Sequence, residues 1–195
     1  LFNEKHQVGG LVVFNFSEAL NTIGGQGAFA TLPSRNMGLS GRFSYSFDDR
    51  YFGEFNFGYN GSEKFSEENR FGFFPSIGFG WITSNEKWFE EALPSVNLFK
   101  LRYTYGLVGN DAISAPSDRF FYLSDVNLNN GGTGYTWGIN ANNYYNGYFI
   151  NRYGNPEVTW EVAKKANYGI ELGLFNSIMI QADYFVENRE QIYMQ

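Results

Sequence analysis

Apolar and polar side chains alternate with a period of two residues along most of this chain. In the stretch 70–82, bulky side chains occupy every second position from Phe71 to Trp81, whereas the positions between them are mostly Gly or Ser. Such alternation is typical of a β-strand whose two faces meet different surroundings. Seven segments carry this pattern: 6–17, 36–47, 51–60, 70–82, 98–109, 161–175 and 178–187.

The segments between the predicted strands alternate in length. Residues 48–50 and 176–177 predict tight turns, whereas residues 18–34, 61–69 and 110–159 are long, polar and rich in Gly and Asn. In an antiparallel meander, alternate connections lie at the same end of the sheet. The sequence therefore predicts short turns at one end and long loops at the other.

The connection 83–97 is longer than its place at the short-turn end predicts. Asn85 is a residue type that favours helix N-termini, and apolar side chains follow it at helical spacing. We therefore predict a small helix whose apolar face consists of Trp88, Phe89, Ala92 and Leu93.

The predicted strands are about ten residues long, carry aromatic residues towards their ends and are joined by alternating short and long connections. These features together predict an all-β protein, an antiparallel transmembrane β-barrel. Every backbone polar group in hydrocarbon needs an internal partner, so a barrel closes without a free edge. Seven strands, an odd number, are not expected to close alone. Because the chain also starts without a signal segment and stops shortly after a strand, we expect it to be part of a larger barrel.

The barrel prediction assigns a different solvent to each face of the sheet. The residues predicted to face lipid are Phe43, Tyr45, Phe55, Phe57, Ile77, Phe79, Trp81, Leu101, Tyr103, Ile170 and Leu172. The charged residues predicted to face the lumen are Arg42, Glu54, Lys100, Arg102, Glu171 and Asp183. A polar lumen of this kind has room for water or a plug in the larger barrels.

Composition agrees with a β-rich chain and excludes several classes of protein. Aromatic residues make up 20% of the 195 residues and Gly occurs 23 times, a mixture that favours strands and turns over helices. The net charge of -6 argues against a nucleic-acid partner. The chain has no Cys, so it has no thiolate nucleophile or Cys-ligated metal, and it has no apolar run long enough for a spanning helix.

Residue types that serve catalysis are sparse and isolated. The only histidine, His6, lies at the start of a predicted strand, without a nucleophile-elbow motif elsewhere. The adjacent carboxylates of 48–49 and 90–91 are expected to point apart into solvent. We therefore predict no enzymatic activity, no catalytic residue and no cofactor.

The stretch "SDVNLNNGGTG", residues 124–134, has oxygen-bearing side chains at alternate positions, as calcium loops do. Asp125, Asn127 and Asn129 supply these oxygens. However, the Gly is displaced by one position and Thr136 stands where a bidentate Glu is expected. The sequence therefore favours a turn-rich loop over a calcium site, and we predict no metal ligands.

Three blocks carry a resemblance to a known family. They are "LPSRNMGLSGRFSYSFDDRYFGEFNFGYNGSEKFSEENRFGFFPSIGFGWI" (32–82), "KLRYTYGLVGND" (100–111) and "GNPEVTWEVAKKANYGIELGLF" (154–175). Their order and spacing resemble the barrel of SusC-like TonB-dependent transporters, and the similarity covers nearly the whole chain.

The resemblance implies a 22-stranded outer-membrane barrel with an N-terminal plug, energised by the inner-membrane TonB complex. It also implies import of glycans or peptides together with a SusD-like surface lipoprotein. On this basis, we expect residues 1–195 to be part of the barrel domain, without the plug, the TonB-contacting segment or the C-terminal strands.

Aromatic residues in the long loop 110–159 are candidates for substrate contact. Aromatic rings cover apolar ligand faces while neighbouring Asn side chains orient polar groups. The predicted substrate-binding residues are Tyr135, Trp137, Tyr144 and Tyr145. Two alternatives remain open for these rings, namely packing within the loop and contact with a lipoprotein partner.

Two other functions fit the same pattern of strands. In a soluble β-sandwich or jelly-roll carbohydrate-binding module, the aromatic faces would pack inward against a second sheet. A purely structural outer-membrane barrel would carry no cargo. The barrel interpretation requires the aromatic residues to form one continuous exposed band.

Overall fold

The computed structural model describes residues 5–20, 32–113 and 120–193. Strands dominate these ranges, together with one helix, α1 (Lys87–Ala92), which follows a 3-10 turn at Thr83–Asn85. The strands are β1 (His6–Ala19), β2 (Ser34–Phe47), β3 (Tyr51–Gly61), β4 (Phe71–Ile82), β5 (Val96–Asn110), β6 (Asp125–Trp137), β7 (Asn143–Arg152), β8 (Glu161–Leu174) and β9 (Ile178–Glu190). No helix within the described ranges is long and apolar enough to cross a membrane.

Seven strands form one antiparallel sheet in the order β1-β2-β3-β4-β5-β8-β9. This order confirms the predicted all-β class and the seven predicted strands. The remaining two strands, β6 and β7, pair with each other in a separate hairpin between β5 and β8. The long loop predicted over 110–159 therefore contains two strands that the sequence analysis did not predict. Three register shifts interrupt the β6–β7 pairing, so apolar and polar residues do not alternate regularly along these two strands.

The register of the seven-stranded sheet aligns residues of like polarity in rows. Phe43 pairs with Phe55, which pairs with Ile77, and Ile77 in turn pairs with Tyr105. All eleven residues predicted to face lipid lie on this apolar face, by register and by the alternation within each strand. Many of its rings are exposed, with Phe79 at 58%.

The exposure of the apolar face decides between two predicted architectures. A β-sandwich would bury these rings against a second sheet. In the described ranges, many large apolar side chains of this face are instead more than half exposed, including Phe14, Phe43, Phe73 and Phe79. The structure therefore does not favour the soluble carbohydrate-binding module.

The connections of the sheet follow the predicted alternation of lengths. The short turns 48–50 and 175–177 and the connection 83–95 lie at one end, and residues 20–33, 62–70 and 111–160 connect strands at the other end. The turn β2–β3 contains consecutive positive φ values at Asp48 (52°) and Asp49 (51°), the left-handed geometry typical of tight hairpins.

Helix α1 lies in the predicted connection but does not begin as predicted. Its N-cap is Glu86 rather than Asn85, and no side chain caps it. The Asn85 amide instead donates a hydrogen bond of 2.8 Å to the carbonyl oxygen of Asp49 in the neighbouring turn. Of the four apolar residues predicted on its face, only Phe89 is buried.

Candidate functional site

The polar face of the sheet carries a group of charged side chains centred on Arg102 in β5. The Arg102 guanidinium lies 3.0 Å from the Glu171 carboxylate and 3.1 Å from that of Asp183. Lys100 lies 3.7 Å from the same Glu171. Gly169 lies between Arg102 and Asp183 and lets their side chains meet, because a Cβ atom at this position would lie 2.8 Å from Asp183 and 3.0 Å from Arg102. The group therefore links β5, β8 and β9.

A second charged pair lies on the same face, on β2 and β3. Arg42 donates a hydrogen bond of 2.9 Å to Glu54, which also accepts one of 2.8 Å from Asn56. The six residues predicted to face the lumen thus share one face and form two ion-paired groups. Ion pairs at the surface contribute only about 0–1 kcal/mol each, so these pairs are a minor source of stability.

The polar face is concave. A basin of about 580 Å³ extends across it from β1 to β5. Gly78 and Gly80 keep its floor at the level of the backbone, and Phe52 lines it together with polar side chains. Its polar lining comes from Gln7, Ser44, Ser46, Glu54, Lys100, Arg102 and Thr104.

Stacked aromatic pairs mark both margins of the apolar face. At the short-turn end, the rings of Tyr51 and Trp81 stack with centroids 6.2 Å apart. At the long-loop end, Tyr59 and Phe71 stack at 5.1 Å. Tyr51 and Tyr59 are both in β3, about 26 Å apart along the strand, which corresponds to about 20 Å of height at a tilt of about 40°. This height is close to the apolar band of outer-membrane barrels, about 25 Å.

The β6–β7 hairpin carries all four residues predicted to bind substrate. Tyr135 pairs with Tyr145, and Trp137 lies on the same face two residues along β6. These three rings are 63% or more exposed. Tyr144 pairs with Thr136 on the opposite face, and its hydroxyl donates to the carbonyl oxygen of Gly131. The structure therefore brings three of the four residues together and separates Tyr144 from them.

The stretch with the spacing of a calcium loop forms part of β6. The Asn129 side-chain oxygen accepts a hydrogen bond of 2.6 Å from the Asn146 amide, and the Asp125 carboxylate accepts one of 3.0 Å from Asn151. These oxygens are engaged by cross-strand amides of β7. Among the residues that the structure describes, no group of three or more His, Asp or Glu side chains lies close enough to hold a metal ion.

No family model matches this chain, but individual proteins do. It is 28% identical to TonB-dependent receptor P39 of Formosa agariphila over 98% of the chain and 19% of that relative. It is 33% identical to the TonB-dependent receptor SusC of Bacteroides thetaiotaomicron over 77% of the chain and 14% of SusC. Among solved structures, the RagAB peptide transporter matches 96% of the chain with a TM-score of 0.68 and 22% sequence identity. The chain belongs to the SusC-like TonB-dependent transporters.

Because the chain is SusC-like, its seven-stranded sheet is a segment of a larger β-barrel. The chain spans 19% or less of the length of the curated relatives named above and 22% of the matched RagAB chain. The likeness to RagAB confirms the predicted fold, a barrel segment. Which solvent each face of this SusC-like sheet meets remains a prediction.

Glu86 joins two neighbouring connections at the short-turn end of the SusC-like sheet. Its carboxylate accepts hydrogen bonds from the Tyr51 hydroxyl (2.6 Å), the Arg50 guanidinium (2.8 Å) and the Trp81 indole (3.4 Å). The Tyr51 hydrogen bond is the largest influence on the pKa of Glu86. Together with Arg50 and Trp81 it lowers this pKa below its ordinary value, although burial alone would raise it.

This interaction predicts a pH dependence of the turn structure. Because the pKa of Glu86 is lower in the folded state, its contribution to stability is fully present above about pH 4.5 and is lost as pH falls through the folded-state pKa. We expect Glu86→Gln in the full-length protein to destabilise residues 83–95 at neutral pH. We also expect the protection of their amides from hydrogen exchange to fall less steeply as the pH is lowered. Hydrogen exchange of this segment between about pH 3 and pH 7 measures both effects.

The matched control is Glu90→Gln on α1, where the carboxylate is exposed. It should leave the pH dependence of residues 83–95 as in the parent protein. If Glu86→Gln kept the same pH dependence of amide protection as the parent protein, the Glu86 carboxylate would not be what stabilises residues 83–95.

Sequence patterns missed a packed cluster at the long-loop end. Phe65 is fully buried, with its ring 5.3 Å from that of Trp160, and Phe74 meets the same indole edge-on at 5.2 Å. The Trp160 indole donates a hydrogen bond of 3.3 Å to the carbonyl oxygen of Arg70. Phe65 lies in a polar loop without periodicity, so no strand or helix pattern signals its burial. The cluster fastens the loop 62–70 to the start of β8.

Proposed function

We propose that this chain forms part of the wall of an outer-membrane importer, with the apolar face against lipid and the polar face lining a water-filled conduit. The observation that supports this most directly is the division of one sheet into an exposed aromatic face and a concave, ion-paired face. An exposed aromatic face suits contact with lipid, and an ion-paired face suits contact with water in a conduit. The transport step is gated passage, without catalysis or a cofactor.

The complete importer needs parts beyond the present residues. We propose that a plug, the remaining barrel strands and a segment that contacts the TonB complex belong to the same full-length protein. The names of the curated relatives, TonB-dependent receptors, support coupling to TonB. A SusD-like surface lipoprotein is the proposed partner at the long-loop end.

Glycans or peptides are the proposed cargo. Membership of the SusC-like family supports both classes, and the likeness to the RagAB peptide transporter supports the second. The basin on the polar face carries both charges and amides or hydroxyls, which suits passage of polar solutes. Uptake of labelled oligosaccharide and peptide pools by cells with and without the full-length gene tests this proposal. Equal uptake of both pools in the two strains, or a full-length protein that is monodisperse in aqueous buffer without detergent, would reject it.

The exposed face of the β6–β7 hairpin is the proposed cargo contact. We expect Trp137→Ala and Tyr145→Ala to weaken cargo binding by about 1 kcal/mol or more each, because exposed aromatic rings that a ligand covers lose contact area on truncation. This corresponds to a factor of about five or more in Kd, measured with the full-length protein and the cargo class found by the uptake assay.

Tyr144→Ala is the matched control, since its ring lies on the opposite face of the same hairpin. We expect it to leave Kd nearly unchanged. If Tyr144→Ala weakened binding as strongly as Tyr145→Ala, the assignment of the cargo to one face would be wrong.

A further inference from the structure

Helix α1 is fastened over the margin of the apolar face by two separate contacts. Phe89, only 7% exposed, stacks on Phe99 with ring centroids 5.6 Å apart and planes at 5°. Phe99 lies on the apolar face, because it pairs with Leu172 of β8. Just before the helix, Glu86 binds the polar ends of two further rings of that face, as described above. The helix therefore lies against the outer surface of the sheet at its short-turn end.

The helix has two unlike sides of its own. At 3.6 residues per turn, the apolar side chains of α1 and of its C-cap residue Leu93 fall within an arc of about 140°, and the charged side chains lie on the opposite arc. The apolar arc consists of Trp88, Phe89, Ala92 and Leu93, and the charged arc of Lys87, Glu90 and Glu91. The sheet covers only Phe89, whereas Trp88 is 59% and Leu93 49% exposed.

We propose that α1 is an interfacial helix whose Trp88 and Leu93 contact phospholipid in the periplasmic leaflet of the outer membrane. The proposal rests on the proposed function, because it requires the apolar face to meet lipid. Short turns of outer-membrane barrels lie on the periplasmic side, which places α1 there. Trp is enriched where hydrocarbon meets water, and amphipathic helices lie in that layer with their charged side outward.

Continuity and size both favour lipid over a protein partner. The exposed ring of Trp88 adjoins Phe89, which stacks on the apolar face, so one apolar surface runs from the sheet onto the helix. The exposed side chains of Trp88, on this six-residue helix, and of Leu93, its C-cap, fall far short of the area of about 1,000 Å² that a stable protein interface buries.

Photo-crosslinking in living cells tests this contact. Benzoylphenylalanine, an aromatic photoreactive residue, would replace Trp88 in the full-length protein by amber suppression. Separate variants would carry it at Leu93, at Glu90 on the charged arc, and at Phe79 on the apolar face of the sheet. After irradiation, mass spectrometry of the protein would identify what each probe captured.

We expect a mass increase of one glycerophospholipid at positions 88, 93 and 79, and none at position 90. Lipid capture at 79 but not at 88 or 93 would overturn the interfacial helix while leaving the barrel orientation intact. Capture of a protein at 88 and 93 would also overturn it. Absence of lipid at 79 would reject the orientation of the sheet itself and thereby both proposals. If the variant at position 88 does not assemble, the variant at position 93 decides.

Discussion

Replacing Phe43 with Arg is expected to destabilise the membrane-assembled full-length protein by about 2 to 4 kcal/mol, the cost of a cation at the lipid-facing midplane of a barrel. Phe43 pairs with Phe55, which lies four residues from each of the two tyrosines that mark the margins of the band in β3. In the proposed orientation, this row is therefore the one farthest from water on either side. Urea titration of the protein folded into lipid vesicles measures the change in unfolding free energy.

The adjacent residue supplies a control at nearly the same depth. Ser44 lies on the polar face, opposite Glu54 in β3, beside the basin. An Arg at this position meets water and a carboxylate, so Ser44→Arg should change stability by less than about 1 kcal/mol. A penalty for Ser44→Arg equal to that of Phe43→Arg would contradict the proposed orientation of the sheet.

Replacing Phe65 with Ala is expected to release the loop 62–70 from the start of β8. Phe65 has no exposed surface and packs on Trp160, and truncation of such a ring costs about 3 to 5 kcal/mol. The loss should be local, because the affected contacts join one loop to one segment. We expect hydrogen exchange of the Ser62 and Asn69 amides, which bond within the loop, to accelerate about a hundredfold or more.

Phe149→Ala provides a comparison with the same chemical change. Phe149 lies on β7 and is 48% exposed, so its truncation should leave exchange in the loop 62–70 unchanged. Equal acceleration in the two variants would show that Phe65 does not hold the loop.

The strands of the main sheet were predictable because each presents two unlike faces. The alternation in 36–47 and 51–60 identifies β2 and β3 almost to their observed ends. Strand ends were less predictable, since β9 continues to Glu190 through charged residues that no longer alternate. The β6–β7 hairpin lacked a usable pattern because bulges shift its register.

The features that depend on distant residues were beyond local sequence patterns. Alternation placed Arg102 and Asp183 on one face, but their contact depends on the β5–β8–β9 register and on the missing side chain of Gly169. Asn85 has the chemistry of a helix cap, yet its amide binds Asp49 in another turn. Local propensity describes what a residue can do, and tertiary contacts decide which option it takes.

The pairing of β5 with β8 has a consequence for how such proteins diversify. The two strands match from Val96 to Asn110, although 50 residues separate them in sequence. The entropic cost of closing a loop grows only with the logarithm of its length. The length of this insertion therefore has little effect on the free energy of the β5–β8 pairing. The hairpin can therefore be exchanged for another sequence without redesign of the sheet.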